Sequence, residues 1–135
     1  MKPIFLDTGY IIALEAVDDQ YHDIALRHWH SLTKSLPSLI TTSYILDEAV
    51  AFFSSRNRHA KAIEIGNYLL SSPSVHFIHV DEPLFYEAWQ YFKQHTDKAY
   101  SLTDCVSFIV MRRFKIKAAL TFDKHFVQMG FDKLP

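Results

Sequence analysis

Cysteine is nearly absent from the 135-residue chain, where Cys105 stands alone. One thiol cannot close an internal disulfide, and a zinc centre built on two or more cysteines is excluded within one chain. A reducing, cytoplasmic setting is therefore expected. Glycine is scarce too: Gly9, Gly66 and Gly130 are all there is. Neither a G-x-G-x-x-G turn nor a P-loop can be assembled from them, which excludes nucleotide cradling of that kind. Long apolar runs are missing. Ile4-Phe5-Leu6 is cut short by Asp7, and no stretch approaches the ~18 apolar residues of a spanning helix. No secretory leader and no membrane association are expected. An excess of basic charge is missing as well. The 14 Lys and Arg against 15 Asp and Glu leave a formal charge of −1. That balance argues against a surface coated in cations to hold nucleic acid, though not against a local basic patch.

What is present is apolar material. The hydrophobic fraction is 49% and the aromatic fraction 15%, enough for a packed core. The length suits one domain over residues 1–135. Ile4-Phe5-Leu6 reads as a buried strand, and residues 8–17 as a helix. Helical spacing continues over 23–34, through Ile24, Leu26, Trp29 and Leu32. A second strand is expected at 39–42, then helices at 43–54 and 59–70, a strand at 75–80 and a helix at 82–94. Pro83 falls in that helix's first turn, where proline is tolerated. A very apolar helix follows at 103–114, then a last strand at 118–121 and a short helix at 124–128. Strands alternating with helices predict an α/β fold with a mostly parallel sheet. Sites in such sheets form at the carboxyl ends of strands, where Asp7 and Asp123 fall.

Four carboxylates have apolar neighbours. Asp7 ends the first strand, and its plainer role is to cap the next helix. Glu48 shares its helix with Ile45, Ala49 and Phe52, so its face is partly apolar. A salt bridge, for instance to Arg56, or a solvated edge position is its ordinary explanation. Asp104 opens the most apolar helix, in a Ser101-Leu102-Thr103-Asp104 run that reads as a capping box. Asp123 is placed to cap the last short helix. If the sheet gathers all four, their repulsion needs a cation. Oxygen ligands without a histidine or cysteine cluster select Mg²⁺ or Mn²⁺.

At these stretches the sequence resembles the PIN-domain family, specifically its VapC-type toxins. The segments are Ile4-Phe-Leu-Asp-Thr-Gly-Tyr-Ile-Ile-Ala-Leu14, Thr41-Thr-Ser-Tyr-Ile-Leu-Asp-Glu-Ala-Val50, Ser101-Leu-Thr-Asp-Cys-Val-Ser-Phe-Ile-Val-Met111 and Ala119-Leu-Thr-Phe-Asp-Lys-His-Phe126. The resemblance implies a three-layer α/β/α sandwich and a metal-dependent endoribonuclease. The catalytic set would be Asp7, Glu48, Asp104 and Asp123, with Asp7 and Asp104 binding the metal most directly and the others partly through water. Thr121 falls on a supporting hydroxyl position, and Asp97 is a possible auxiliary acid. A homodimer, an RNA substrate and a small antitoxin partner are implied too. The region 59–94 matches nothing specific.

Other features carry plainer readings. The eight histidines lack a converging pair, so surface and packing roles are expected. Cys105 reads as packing, because no paired base is visible. Arg112, Arg113, Lys115 and Lys117 form a basic run. Such runs are usually solvated faces, but Arg112 and Arg113 are candidates for RNA contact. Aromatic residues such as Trp29, Phe52, Phe53, Trp89 and Tyr91 read as core, with part left for association. Two other functions compete. A receiver-like phospho-acceptor needs adjacent acids after its first strand, and Asp7 stands alone. A PIN-like scaffold without activity would not need all four acids.

Overall fold

The computed structural model describes residues 2–135. Five strands form one sheet: β1 (Ile4–Leu6), β2 (Leu39–Thr42), β3 (Val75–Ile78), β4 (Ala118–Leu120) and β5 (Asp132–Leu134). Their order is β3-β2-β1-β4-β5 and every pairing is parallel. Seven α-helices connect them: α1 (Thr8–Glu15), α2 (His22–Leu32), α3 (Ser43–Ser54), α4 (His59–Ser71), α5 (Glu82–Gln94), α6 (Leu102–Arg113) and α7 (Lys124–Gln128).

Crossovers between parallel strands are right-handed. The chain steps from β1 to β2 to β3 in one direction, which puts α1 to α4 on one face. It then returns past β1 to β4 and on to β5, which puts α5 to α7 on the other. The packing agrees: α1 lies on α2 and α3, α3 on α4, and α5 on α6. The three-layer sandwich expected from the sequence is observed.

The central strands are buried on both faces. Phe5, Leu39, Ala119 and Leu120 are fully buried, as parallel strands under two helical layers require. Helix starts follow local chemistry. The side chains of Thr42 and Asp81 accept hydrogen bonds from the N–H groups of Ile45 and Leu84, which fixes where α3 and α5 begin. The apolar α6 passes through the interior, with every residue from Cys105 to Met111 buried.

One element departs from the sequence reading. The strand at 118–121 is not the last, because β5 follows it and pairs along β4. Asp132-Lys133 disguises β5, since an edge strand tolerates charge that a central one does not. The turn before it needs Gly130, whose φ of +90° disfavours any residue with a side chain.

The order of strands has one consequence for function. Connections leave β1 and β4, which are neighbours, in opposite directions. The crevice at their carboxyl ends is the topological switch point of the sheet, where ligands bind in open α/β folds.

Candidate active site

Asp7 leaves β1 directly into this crevice. It occupies the N-cap position of α1, yet its side chain makes no capping bond. Instead the Thr121 hydroxyl, arriving from the end of β4, donates to Asp7 Oδ2 at 2.7 Å. Both side chains are buried. Burial raises the Asp7 carboxyl to about 7, and the charges of Asp104 and Asp123 push the same way against the Thr121 hydrogen bond. A carboxylate held this way is costly unless something neutralises it.

Thr121 also accepts the backbone N–H of Asp123 at 3.0 Å. One hydroxyl therefore ties Asp7, near the start of the chain, to Asp123, near its end. Asp123 in turn caps α7, accepting from the His125 N–H at 2.9 Å. Its capping role is real, and its second oxygen remains available.

Asp104 comes from the opposite face of the sheet, at the N-terminus of α6. The capping box is present: Ser101 Oγ accepts the Asp104 N–H at 2.9 Å, and Asp104 Oδ2 accepts the Ser101 N–H at 3.0 Å. The box sets the direction of the carboxylate as well as the start of the helix. Burial raises the Asp104 carboxyl, the Ser101 amide opposes this, and the Asp123 charge raises it further.

His125 completes the cluster and is the residue that sequence reasoning missed. Its Nδ1 lies 3.2 Å from Asp123 Oδ1 and 3.4 Å from Asp104 Oδ2. That nitrogen is buried and makes no hydrogen bond of good geometry to either. Ligand atoms of Asp104, Asp123 and His125 all lie within 4.8 Å of one another, which suits a shared metal ion. His125 packs edge-on against the Tyr100 ring at 5.1 Å, as the packing expectation has it, and its place beside two acids is additional to that. Its two-residue spacing from Asp123, on the first turn of α7, was the available signal.

Glu48 reaches the crevice indirectly. It is exposed, and its Oε1 accepts the hydroxyl of Thr8, the residue after Asp7, at 2.7 Å. It forms no pair with Arg56, which donates to the Phe52 carbonyl and lies over the Phe52 ring. Asp97 is exposed in the turn between α5 and α6, 4.0 Å from Lys98, and takes no part in the three-residue group. Arg112 and Arg113 end α6, about 12 Å along the helix from Asp104 at 1.5 Å per residue. Arg113 is paired with Glu87 at 2.5 Å. Cys105 is buried beside Asp104, and burial pushes its thiol up to about 11. A thiol so far from ionising is no nucleophile.

The donor set is carboxylate-rich, mutually repelling and partly desolvated, with one orphaned imidazole nitrogen at its edge. These are the properties of a site built for a divalent cation. Among the described residues no helix is long and apolar enough to cross a membrane.

Known proteins share this arrangement of chain. The 23S rRNA-specific endonuclease VapC20 of Mycobacterium tuberculosis, in strains CDC 1551 / Oshkosh and ATCC 25618 / H37Rv, is 34% identical over 128 residues, 95% of either chain. The crystal structure of M. tuberculosis VapC20, a Sarcin-Ricin loop cleaving toxin, superposes with a TM-score of 0.85 at 33% identity over 95% of both chains. FitAcB from Neisseria gonorrhoeae shares the fold, with a TM-score of 0.65 at 16% identity over 98% of this chain and 96% of its own. The PIN domain model matches residues 4–132, from β1 into β5 and through every acid of the crevice, and the chain belongs to the PIN domain family.

Proposed function

We propose that the protein is a metal-dependent endoribonuclease, the toxin of a type II toxin–antitoxin pair, working at the crevice between β1 and β4. One observation carries the reading. Asp104, Asp123 and His125 bring ligand atoms within 4.8 Å of one another at the switch point, and the Thr121 hydroxyl links Asp7 to the same strand end, although Asp7 lies outside that three-residue group. Full-length similarity to an RNA endonuclease supports it. The 23S rRNA cut by VapC20 is the first substrate to test.

Asp7 and Asp104 are the direct ligands in this reading, with Asp123 and Glu48 completing the set partly through water. Mg²⁺ is the expected ion, with Mn²⁺ as substitute. When bound, the ion supplies activation of water and neutralises charge developing on the phosphate. The chain's own part is positioning. Thr121 fixes the Asp7 carboxylate through its hydroxyl hydrogen bond. Ser101 fixes that of Asp104. Thr8 holds Glu48 against the start of α1. Asp97 stays an auxiliary candidate for longer substrates, since it stands in the exposed turn before α6.

An antitoxin needs apolar surface. A cavity of about 220 Å³ between α1, α2 and α4 offers it, lined by Leu6, Ile11, Leu14, Trp29 and Leu69 among others. The exposed, stacked Trp89 and Phe92 on α5 are surface of the kind that a homodimer buries. A cytoplasmic location fits the expected substrate.

The test is cleavage of total RNA, with and without Mg²⁺, by wild type and by Asp7→Asn. Wild type is expected to cleave only with the metal, and the variant to lose at least a hundredfold in rate. Equal rates for the two proteins would overturn the site assignment.

A further inference from the structure

Phe122 lies between Thr121 and Asp123, and its ring packs between two tyrosines. Its ring stacks on Tyr21 at 4.5 Å with only 4° between planes. On the inner side it lies near-parallel to Tyr10, at 6.0 Å and 12°. The three rings run from interior to surface: Tyr10 is fully buried and Tyr21 is 37% exposed. The inner end is anchored, because the Tyr10 hydroxyl hydrogen-bonds His28 Nδ1 at 2.8 Å. The outer end is anchored too. The Tyr21 N–H donates to Asp19 Oδ2 at 2.9 Å, and the Tyr21 carbonyl accepts the Ala25 N–H as α2 begins. Lys133 of β5 holds its ammonium 5.9 Å from the Phe122 centroid, where it donates to the Pro135 carbonyl at 3.0 Å.

A well-held stack of parallel rings that stops at solvent is not what covering a core requires. Aliphatic side chains would cover Phe122 as well. A flat exposed π-face beside a cation is what single-stranded nucleic acid binds, since every base has a π-face to stack and each nucleotide brings a phosphate. Phe122 is one residue from Asp123, about 3.8 Å between Cα atoms. The open ring is Tyr21, a further 4.5 Å beyond Phe122, so a base stacked on it belongs to a nucleotide near, and not at, the phosphate held by the acids.

We propose that Tyr21, backed by Phe122, is a stacking platform for an unpaired RNA base near the scissile phosphate, with Lys133 available to a backbone phosphate of the same strand. The proposal rests on the endoribonuclease reading and deepens it by naming how substrate is seated. A base inside a duplex has both faces covered by its neighbours, so the platform takes a base that is unstacked.

The experiment uses short single-stranded RNAs with 2-aminopurine at successive positions around the cleavage site. Wild type is compared with Tyr21→Ala, Tyr21→Leu and Tyr21→Phe. The leucine variant keeps an apolar cover over Phe122 and removes the aromatic face. Stacking predicts a KM raised about tenfold or more in Tyr21→Ala and Tyr21→Leu. Tyr21→Phe should stay within about twofold of wild type, and kcat should change less than KM. The 2-aminopurine fluorescence at one position should be quenched by wild type in Ca²⁺ and not by Tyr21→Leu. If Tyr21→Leu matches wild type in both KM and quenching, Tyr21 is structural and the platform is overturned. If wild type itself shows no divalent-metal-dependent cleavage, the nuclease reading falls and the proposal with it.

Discussion

Asp7 shows how one residue carries opposing demands. An isolated carboxyl ionises near 3.8, whereas in the folded protein burial holds its proton up to about 7. Between those pH values folding must take up a proton. The stability present below pH 3.8 therefore drains away as pH rises to about 7, and then levels. Each pH unit of that window is worth about 1.4 kcal/mol. Asparagine stays neutral throughout and escapes the loss. Metal-free Asp7→Asn is thus expected to melt above wild type at pH 8, with the advantage gone near pH 4. Added Mg²⁺ at pH 8 should raise the wild-type midpoint and leave the variant almost unmoved. Thermal melting in EDTA and in Mg²⁺ at both pH values measures this. An advantage that is the same at pH 4 and pH 8 would mean that the carboxyl ionises as freely folded as unfolded.

At the scale of elements, α6 joins structure to site. Its N-terminus needs a cap, and the capping box that provides it also aims Asp104 into the crevice. The two roles separate by mutation. Ser101→Ala removes the hydroxyl that accepts the Asp104 N–H and should cost about 1 kcal/mol of stability. The Ser101 N–H still holds Asp104 Oδ2, so most cleavage activity should survive. Asp104→Asn keeps an acceptor for that N–H and should fold well, but lose the activity. Chemical denaturation and RNA cleavage on both variants give the comparison. Ser101→Ala as inactive as Asp104→Asn would show that the hydroxyl serves catalysis and not the helix.

Elements were also where the sequence was most legible. Helices α3, α5 and α6 begin at residues whose side chains bond the first turn, so composition and boundary agree. β5 escaped because its stability comes from pairing with β4, while its own residues include Asp132 and Lys133. The acids Asp7, Asp104 and Asp123 were legible because charge among apolar neighbours demands an explanation. His125 was not, because a lone histidine acquires meaning only when α7 brings it against Asp104, which is 21 positions away in the chain. Glu48 was expected on a partly apolar face; it sits exposed on Thr8, a partner that no spacing rule connects to it.

At the scale of the molecule, the net charge of −1 hides an uneven distribution. Setting aside Asp7, Glu48, Asp104 and Asp123 leaves 11 acids against 14 basic residues, a body of +3 around an acidic crevice. Three of the 14 basic residues, Lys2, Lys115 and Lys117, lie at the other end of the sheet around the start of β4, beside Asp132. Arg112 and Arg113 stand nearby at the end of α6. The stretch of α6 between Asp104 and Arg112 is buried and about 12 Å long, so RNA must pass around it over the surface to meet them, and they can assist long substrates and not the shortest ones. Arg112 is the better placed: it is exposed and lies 5.7 Å from the Tyr91 ring, whereas Arg113 is already paired with Glu87. Arg112→Glu is therefore expected to weaken binding of a long single-stranded RNA and to reduce its log K against log salt slope by about one. Cleavage of a trinucleotide should be unchanged. The Arg112→Glu, Arg113→Glu double variant should weaken binding further, because a second glutamate beside Glu87 turns a neutral pair into two negative charges. Binding titrations across a range of salt concentrations measure the slope directly. Identical affinities and slopes for wild type and the double variant would remove both arginines from the RNA interface and confine recognition to the crevice and its aromatic rim.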